Sequence, residues 1–295
     1  MSSLLTPVKS KLFIASSRKS THALDGAYAS LLRGRSLDFE DLRAYEYGDQ
    51  VRDIDWRATA RLGSPMIKRS RATRMHTVLF AVDTGLGMRG LARDERPKKD
   101  LAILTIGALG MLSLRHGDDF TLVHGDAARV QRTEIGRSEA ALEHTLRRID
   151  GALTNPAPSD RDALLGFIAR TISRRMIVVI VTDGTPLTAE AERLTRRLRV
   201  QHDVLWITLD DADPVLDRTS RHGRLDAQSA WAVPSFLHGD HSVVGELTAR
   251  DAEVAARRDA LLDRLEISHT VLRSQDTAVS DLLHLLNRRR HVGRR

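Results

Sequence analysis

The sequence predicts an α/β fold, a mostly parallel sheet with helices on both faces. Three observations predict it. Short apolar runs rich in β-forming residues, HTVLFAVD at 76–83, MIVVIVT at 176–182 and VLWITL at 204–209, read as buried strands. Stretches between them place apolar residues at helical spacing. The two patterns alternate from residue 76 onward, as a sheet wound with crossover helices requires.

Each element follows in order. After Pro97, residues 98–115 are apolar almost all round, which predicts a central helix. Phe120 to His124 is the second strand. Ser138 is placed to cap a helix carrying Leu142, Leu146 and Ile149. A further helix follows Ser159 and Asp160, with Leu164, Phe167, Ile168 and Ile172 on one face. Thr188 precedes another, with Leu194 and Leu198 turned inward. Residues 210–250, punctuated by Asp, Gly and Pro, predict no regular element. A helix over 251–265, a strand over 267–272 and a helix from Thr277 complete the pattern. Residues 1–75 do not share the alternation and read as a separate N-terminal element, with 76–295 as the α/β domain.

Composition narrows the function. Cysteine is absent, which removes disulfides, thiolate metal sites and cysteine nucleophiles, and agrees with a cytoplasmic location. No apolar run reaches the ~18 residues of a membrane span. Residues 1–75 hold 14 Lys/Arg against 8 Asp/Glu, and the remainder 32 against 31, so the excess charge lies near the N-terminus and in the Arg-rich end at 288–295. Basic ends admit weak, non-specific nucleic-acid binding or contact with another anionic surface. The first 24 residues are Ser-rich, basic and free of acids, a transit-peptide composition, yet without the apolar core of a secretory signal.

Two strands end in an aspartate followed closely by glycine, Asp83 in VDTGLG and Asp183 in VTDG. Ligands of open α/β sheets gather at such ends, and paired carboxylates suit a hard divalent cation. The alternative is that each caps a turn. GLGMRG at 85–90 matches a dinucleotide fingerprint after a strand, but Pro97 and a charged run interrupt the helix it should open. No G-x-S-x-G, H-E-x-x-H or P-loop is present, so no catalytic residue is assigned.

The densest signal is residues 34–61. Phe39, Tyr45, Tyr47 and Trp56 make up four of the 12 aromatics, interleaved with Arg43, Asp49, Arg52, Asp53 and Asp55. Such a mixture suits a docking surface or a hydrogen-bonded interdomain knot, and suits phosphate less well because the carboxylates repel it. Ile54 and Trp56 alternate with charges at strand spacing, which favours the knot, with Trp56 buried against the α/β domain.

Phe39, Leu42, Arg43, Tyr45, Gly48, Asp49, Arg52, Ile54, Asp55, Trp56, Ala60 and Arg61 together resemble the signature of the bacterial family called domain of unknown function 58. The resemblance implies a von Willebrand factor type A-like domain after the signature. It also implies a non-enzymatic adaptor or chaperone-like role beside a MoxR-type AAA+ ATPase. A nucleic-acid or anionic-surface binder and a divalent-metal-dependent ligand-binding domain or enzyme are the rival readings.

Type A domains hold Mg²⁺ with D-x-S-x-S, a Thr and a second Asp. The matching positions here are Asp83, Gly85, Gly87, Ser159 and Asp183. Both hydroxyls of the first motif are missing, and Ser36 stands where the family usually has glycine. The expectation is a degenerate site with weak Mg²⁺ binding or none, held at most by Asp83 and Asp183. Serine restored at 85 and 87 is expected to create or strengthen that binding if the geometry is otherwise intact.

Overall fold

The computed structural model describes residues 3–18, 41–46, 49, 54–69, 76–213 and 225–292. Its elements, in chain order, are α1 (Leu5–Arg18), β1 (Asp41–Ala44), α2 (Trp56–Leu62), β2 (Met66–Arg69), β3 (Thr77–Asp83), α3 (Lys98–Arg115), β4 (Asp119–Gly125) and β5 (Val130–Arg132). Then come α4 (Glu139–Ala152), α5 (Arg161–Thr171), β6 (Ile177–Asp183), α6 (Ala189–Gln201), β7 (Asp203–Leu209), α7 (His241–Arg264), β8 (Ser268–Leu272) and α8 (Ala278–Val292). Short 3₁₀ turns occupy Leu86–Arg89 and Ser235–Leu237.

Six strands form one sheet in the order β5-β4-β3-β6-β7-β8, parallel throughout except for β5. The α/β prediction holds. Successive side chains of a strand face opposite sides, and here both sides are apolar. Val78, Phe80 and Val82 pack with Val179, Val181 and Ile207 under α3, α4 and α8. Leu79 and Ala81 pack with Val178, Ile180 and Trp206 under α5 and α6. Such strands read as continuous apolar runs because neither face meets water.

The predicted helix starts are capped as expected. Ser138 Oγ accepts from the Ala141 amide at 3.2 Å, Asp160 Oδ1 from Ala163 at 2.8 Å, and Thr188 Oγ1 from Ala191 at 2.9 Å.

Three differences stand out. First, α1 shares the core of the sheet body: Leu5, Val8 and Leu12 are buried on α3 and α8, so a boundary at 75/76 leaves out a core helix. A Cβ at Gly107 would lie 2.8 Å from Val8 Cγ2, so the two helices touch where α3 has no side chain. The start of α1 is capped from far away, since Glu143 accepts from the Leu4 and Leu5 amides and the Ser3 hydroxyl, each at 3.0 Å. Burial opposes the charged form of Glu143, but these bonds outweigh it and hold the carboxyl below its usual range. Second, β5 lies outside the predicted pattern: Val130 and Gln131 are half-buried, Arg132 is exposed, and the three carry no apolar run. Third, α7 starts ten residues before the predicted 251, because its first turns are largely solvated and only Arg258, Leu261 and Leu262 are buried.

β1 and β2 pair antiparallel and form a small unit with α2.

Candidate functional site

The chain leaves β3 toward β4 and β5 on one side, and returns to build β6, β7 and β8 on the other. The carboxyl ends of β3 and β6 therefore flank the point where the winding reverses, the place where open α/β sheets bind ligands. Asp83 ends β3 and Asp183 ends β6, and both are buried, at 1% and 4% exposure.

The two carboxylates are held differently. Asp83 Oδ1 accepts from the Gly85 amide at 2.8 Å, whereas its buried Oδ2 has no hydrogen-bond partner. Burial first, and the neighbouring Asp183 charge second, push its pKa up to about 6, against the Gly85 hydrogen bond and the charges of Arg161 and Lys98. Burial also opposes ionisation of Asp183, but Arg161, Lys98 and Thr185 outweigh it and hold its carboxyl below the usual range. Asp183 Oδ1 accepts from Arg161 Nη2 at 2.8 Å, from the Thr185 amide at 3.1 Å and from the Thr185 hydroxyl.

Arg161 is the residue that sequence reasoning missed. It follows the Asp160 cap as the first residue of α5, and its side chain is only 9% exposed. Nε donates to Thr182 Oγ1 at 3.0 Å, and Nη1 to the carbonyls of Thr185 and Pro186 at 3.1 and 3.4 Å. Lys98, the first residue of α3, is the second: at 1% exposure it pairs through Nζ with the Asp211 carboxylate, just beyond β7. No local pattern marks either cation, since the partners lie 22 and 113 residues away.

The remaining positions converge as the motif implies, but closed. Ser159 Oγ accepts from the Gly87 amide at 3.1 Å, and the Leu86 amide donates to Ala157 O at 2.9 Å. A Cβ at Gly85 would lie 2.3 Å from Ser159 Cα, and one at Gly87 would lie 2.1 Å from Asp183 Oδ2. Glycine is what lets the loop after β3 close on the loop before α5. Leu86–Arg89 is a 3₁₀ turn rather than the first turn of a helix, so the glycines do not build a pyrophosphate cradle.

These residues do not fit Mg²⁺. The ion demands near-octahedral oxygen coordination at 2.0–2.1 Å. Here one carboxylate is taken by a guanidinium, the serine hydroxyl by an amide, and positions 85 and 87 offer neither oxygen nor room. Among the described residues no three His, Asp or Glu side chains gather at ligand spacing.

The signature region resolves into local supports and one presented aromatic. Asp55 Oδ1 caps α2, accepting from the Arg57 and Ala58 amides at 2.9 and 3.0 Å. Asp49 Oδ2 accepts from the Glu46 amide at 2.9 Å. Gly63 ends α2 at φ 72°, a left-handed conformation that favours glycine. Ile54 bridges to the buried Ile67, and Tyr45 and Arg61 face solvent. Trp56 is 67% exposed, which corrects the expectation of a buried Trp56. The alternation of Ile54 and Trp56 is the end of a β-bridge followed by the start of a helix, not a strand. Leu42 and Arg43 lie in β1, whereas Phe39, Gly48 and Arg52 fall outside the described residues, as do Ser36, Arg294 and Arg295.

A mostly parallel α/β domain with paired aspartates at its winding reversal, closed by internal cations, is the class that this fold and site define. The family model described as "Protein of unknown function DUF58" matches residues 41–229, and the chain belongs to that family. It is 27% identical over 212 residues to the uncharacterized protein Rv1480 of Mycobacterium tuberculosis and, equally, to the uncharacterized protein Mb1516 of Mycobacterium bovis. Each match covers 70% of this chain and 65% of the relative, so the chain spans just under two thirds of these relatives. Among solved structures it is similar to an aerotolerance-related membrane protein from Bacteroides fragilis with multiple mutations to serines, at TM-score 0.44 and 15% identity, covering 72% of this chain and 99% of that one. It is also similar to a von Willebrand factor type A protein from Catenulispora acidiphila, at TM-score 0.41 and 12% identity, covering 73% and 42%. No helix among the described residues is long and apolar enough to cross a membrane.

Proposed function

We propose that this chain is a non-enzymatic protein-interaction module of the cytoplasm, an adaptor whose partner is a MoxR-type AAA+ ATPase. The observation that carries the reading is the exposure of Trp56 at 67%, with the exposed Arg57 and Arg61 on the same short helix. Trp and Arg dominate binding hot spots, because they combine large apolar area with directional polar contacts. Asp55 and Asp49 spend oxygens on backbone amides, which fixes the loop that presents Trp56. The strand-end aspartates supply no free base at the surface, being buried and partly paired. This favours binding over catalysis.

Trp56→Ala separates presentation from packing. Its unfolding free energy should stay within about 0.5 kcal/mol of the parent in urea, as for surface substitutions generally. Affinity for the ATPase should fall roughly 30-fold or more, the ~2 kcal/mol threshold of a hot spot. Unchanged ATPase binding, measured by calorimetry, would refute the docking role. A salt-resistant complex with one nucleic-acid sequence would instead favour the rival reading, since contacts made to phosphates alone weaken steeply with salt.

A further inference from the structure

We propose that the cavity between the carboxyl end of β4 and the last turn of α4 binds a compact organic oxyanion, a carboxylate or a phosphate on a small polar body. None of its lining residues belongs to the signature region, so the site stands apart from the adaptor reading.

The cavity has a volume of about 320 Å³, near the lower end of the range for small-molecule sites. Small residues, among them Gly125, Ala128, Gly151 and Ala157, leave the room. No Phe, Tyr or Trp lines it, so it offers a nucleobase no stacking platform. A compact polar ligand fits better than a flat apolar one.

The polar groups converge from three segments. His124 shares the α4 side of the sheet with Phe120 and Leu122, by the alternation of β4. It is 7% exposed and lines the cavity, and its buried Nε2 has no hydrogen-bond partner. A buried nitrogen without a partner is costly, and a ligand oxygen would satisfy it. Gln131 stands directly opposite His124 on β5, on the same face, and Asn155 adds a second amide from the loop after α4.

The charge facing the ring is positive. Burial first, then Arg148 and Arg129, holds the His124 pKa below its usual range. The neutral ring can carry its proton on Nε2 and donate it. Both arginines are exposed at their ends, as guanidiniums that receive an oxyanion must be. His144 Nε2 accepts from Arg148 Nε at 3.3 Å, which leaves the other donors of that fork.

The groups that would repel an anion are occupied. Asp126 Oδ1 accepts from the Ala128 and Arg129 amides at 3.0 and 3.2 Å, and Oδ2 from the Ala157 amide at 3.0 Å. Asp150 pairs with Lys99 at 2.7 Å. The last carbonyls of α4 carry the negative end of its dipole, but Thr154 donates to two of them: its hydroxyl to Asp150 O at 3.0 Å, its amide to Gly151 O at 3.2 Å. The Ala127 amide also donates to Pro158 O at 2.8 Å. These bonds tie the turn after β4 to the loop after α4, so the cavity is formed before a ligand arrives.

Titration calorimetry of the full chain at neutral pH and constant ionic strength, with inorganic phosphate, glycerol 3-phosphate and succinate, tests the site. At least one probe should bind with a Kd of about 1 mM or tighter. Binding of the first two without succinate assigns a phosphate, and the reverse assigns a carboxylate. Arg129→Gln and Arg148→Gln, both changes at exposed side chains, should each weaken binding roughly tenfold. His124→Phe should fold and lose binding. Arg132→Gln removes the same charge from the opposite face of β5 and should change affinity less than about twofold. The bound anion should also raise the His124 pKa toward its ordinary value, read from the ring's NMR shifts, because a negative neighbour favours the imidazolium. No probe binding tighter than about 10 mM would overturn the proposal, as would affinities unchanged in Arg129→Gln and His124→Phe.

Discussion

Serine at Gly85 should destabilise the protein by about 3 kcal/mol, the upper part of the range for overpacking a tight site, and create no metal site. Its Cβ would lie 2.3 Å from Ser159 Cα and 2.6 Å from Ser159 N, so the clash is with backbone and no rotamer relieves it. Neither loop can retreat freely. The Leu86 amide is tied to Ala157 O at 2.9 Å, the Ala127 amide to Pro158 O at 2.8 Å, and the Ala157 amide to Asp126 Oδ2 at 3.0 Å. Gly87→Ser meets a movable obstacle, the Asp183 carboxylate, but can displace it only against Arg161. Two serines would rebuild a metal site only in an otherwise intact geometry, and the closed loops do not offer one. Urea melts of Gly85→Ser beside Gly151→Ala, where an added Cβ meets nothing within 4 Å, provide the comparison. A Gly85→Ser protein as stable as the parent, and stabilised by Mg²⁺, would mean that the loops stand open in solution.

How much of this was legible depends on the range over which each residue acts. The central strands β3, β4, β6 and β7 were readable because both faces are dry, so their sequences are largely apolar. Helix starts at Ser138, Asp160 and Thr188 were readable because a cap acts over three residues. The convergence of Asp83, Gly85, Gly87, Ser159 and Asp183 was readable as a motif, though not its closure. Arg161 and Lys98 were not, because an ion pair leaves no mark on the spacing of its own segment. The seating of α1 was hidden for the same reason: the Glu143 that caps it stands 138 residues from Leu5. Trp56 misled because period-two alternation over three residues cannot distinguish a strand from a bridge running into a capped helix. Asp55, an N-cap residue type standing directly before WRATARL, was the better clue.

Asp83→Asn should make the protein more stable at neutral pH, and by an amount that depends on pH. The folded-state pKa of about 6 lies above the ordinary 3.8 of an aspartate. Between those values the folded chain holds a proton that the unfolded chain has released, so stability falls as pH rises through this window. Above about pH 6 the full penalty is present, about 3 kcal/mol at 1.36 kcal/mol for each pKa unit. The asparagine has no charged form to bury and can still accept the Gly85 hydrogen bond. The difference between variant and parent, followed in urea from about pH 4 to about pH 7.5, should therefore grow from near zero toward about 3 kcal/mol. Taking the difference matters, because burial also holds the pKa values of His124 and His202 down. Depressed histidines act with the opposite sign, their stabilisation being lost as pH falls, but they titrate alike in both proteins. A variant less stable than its parent at neutral pH would mean that the carboxylate charge anchors Arg161 and Lys98 more strongly than burial opposes it.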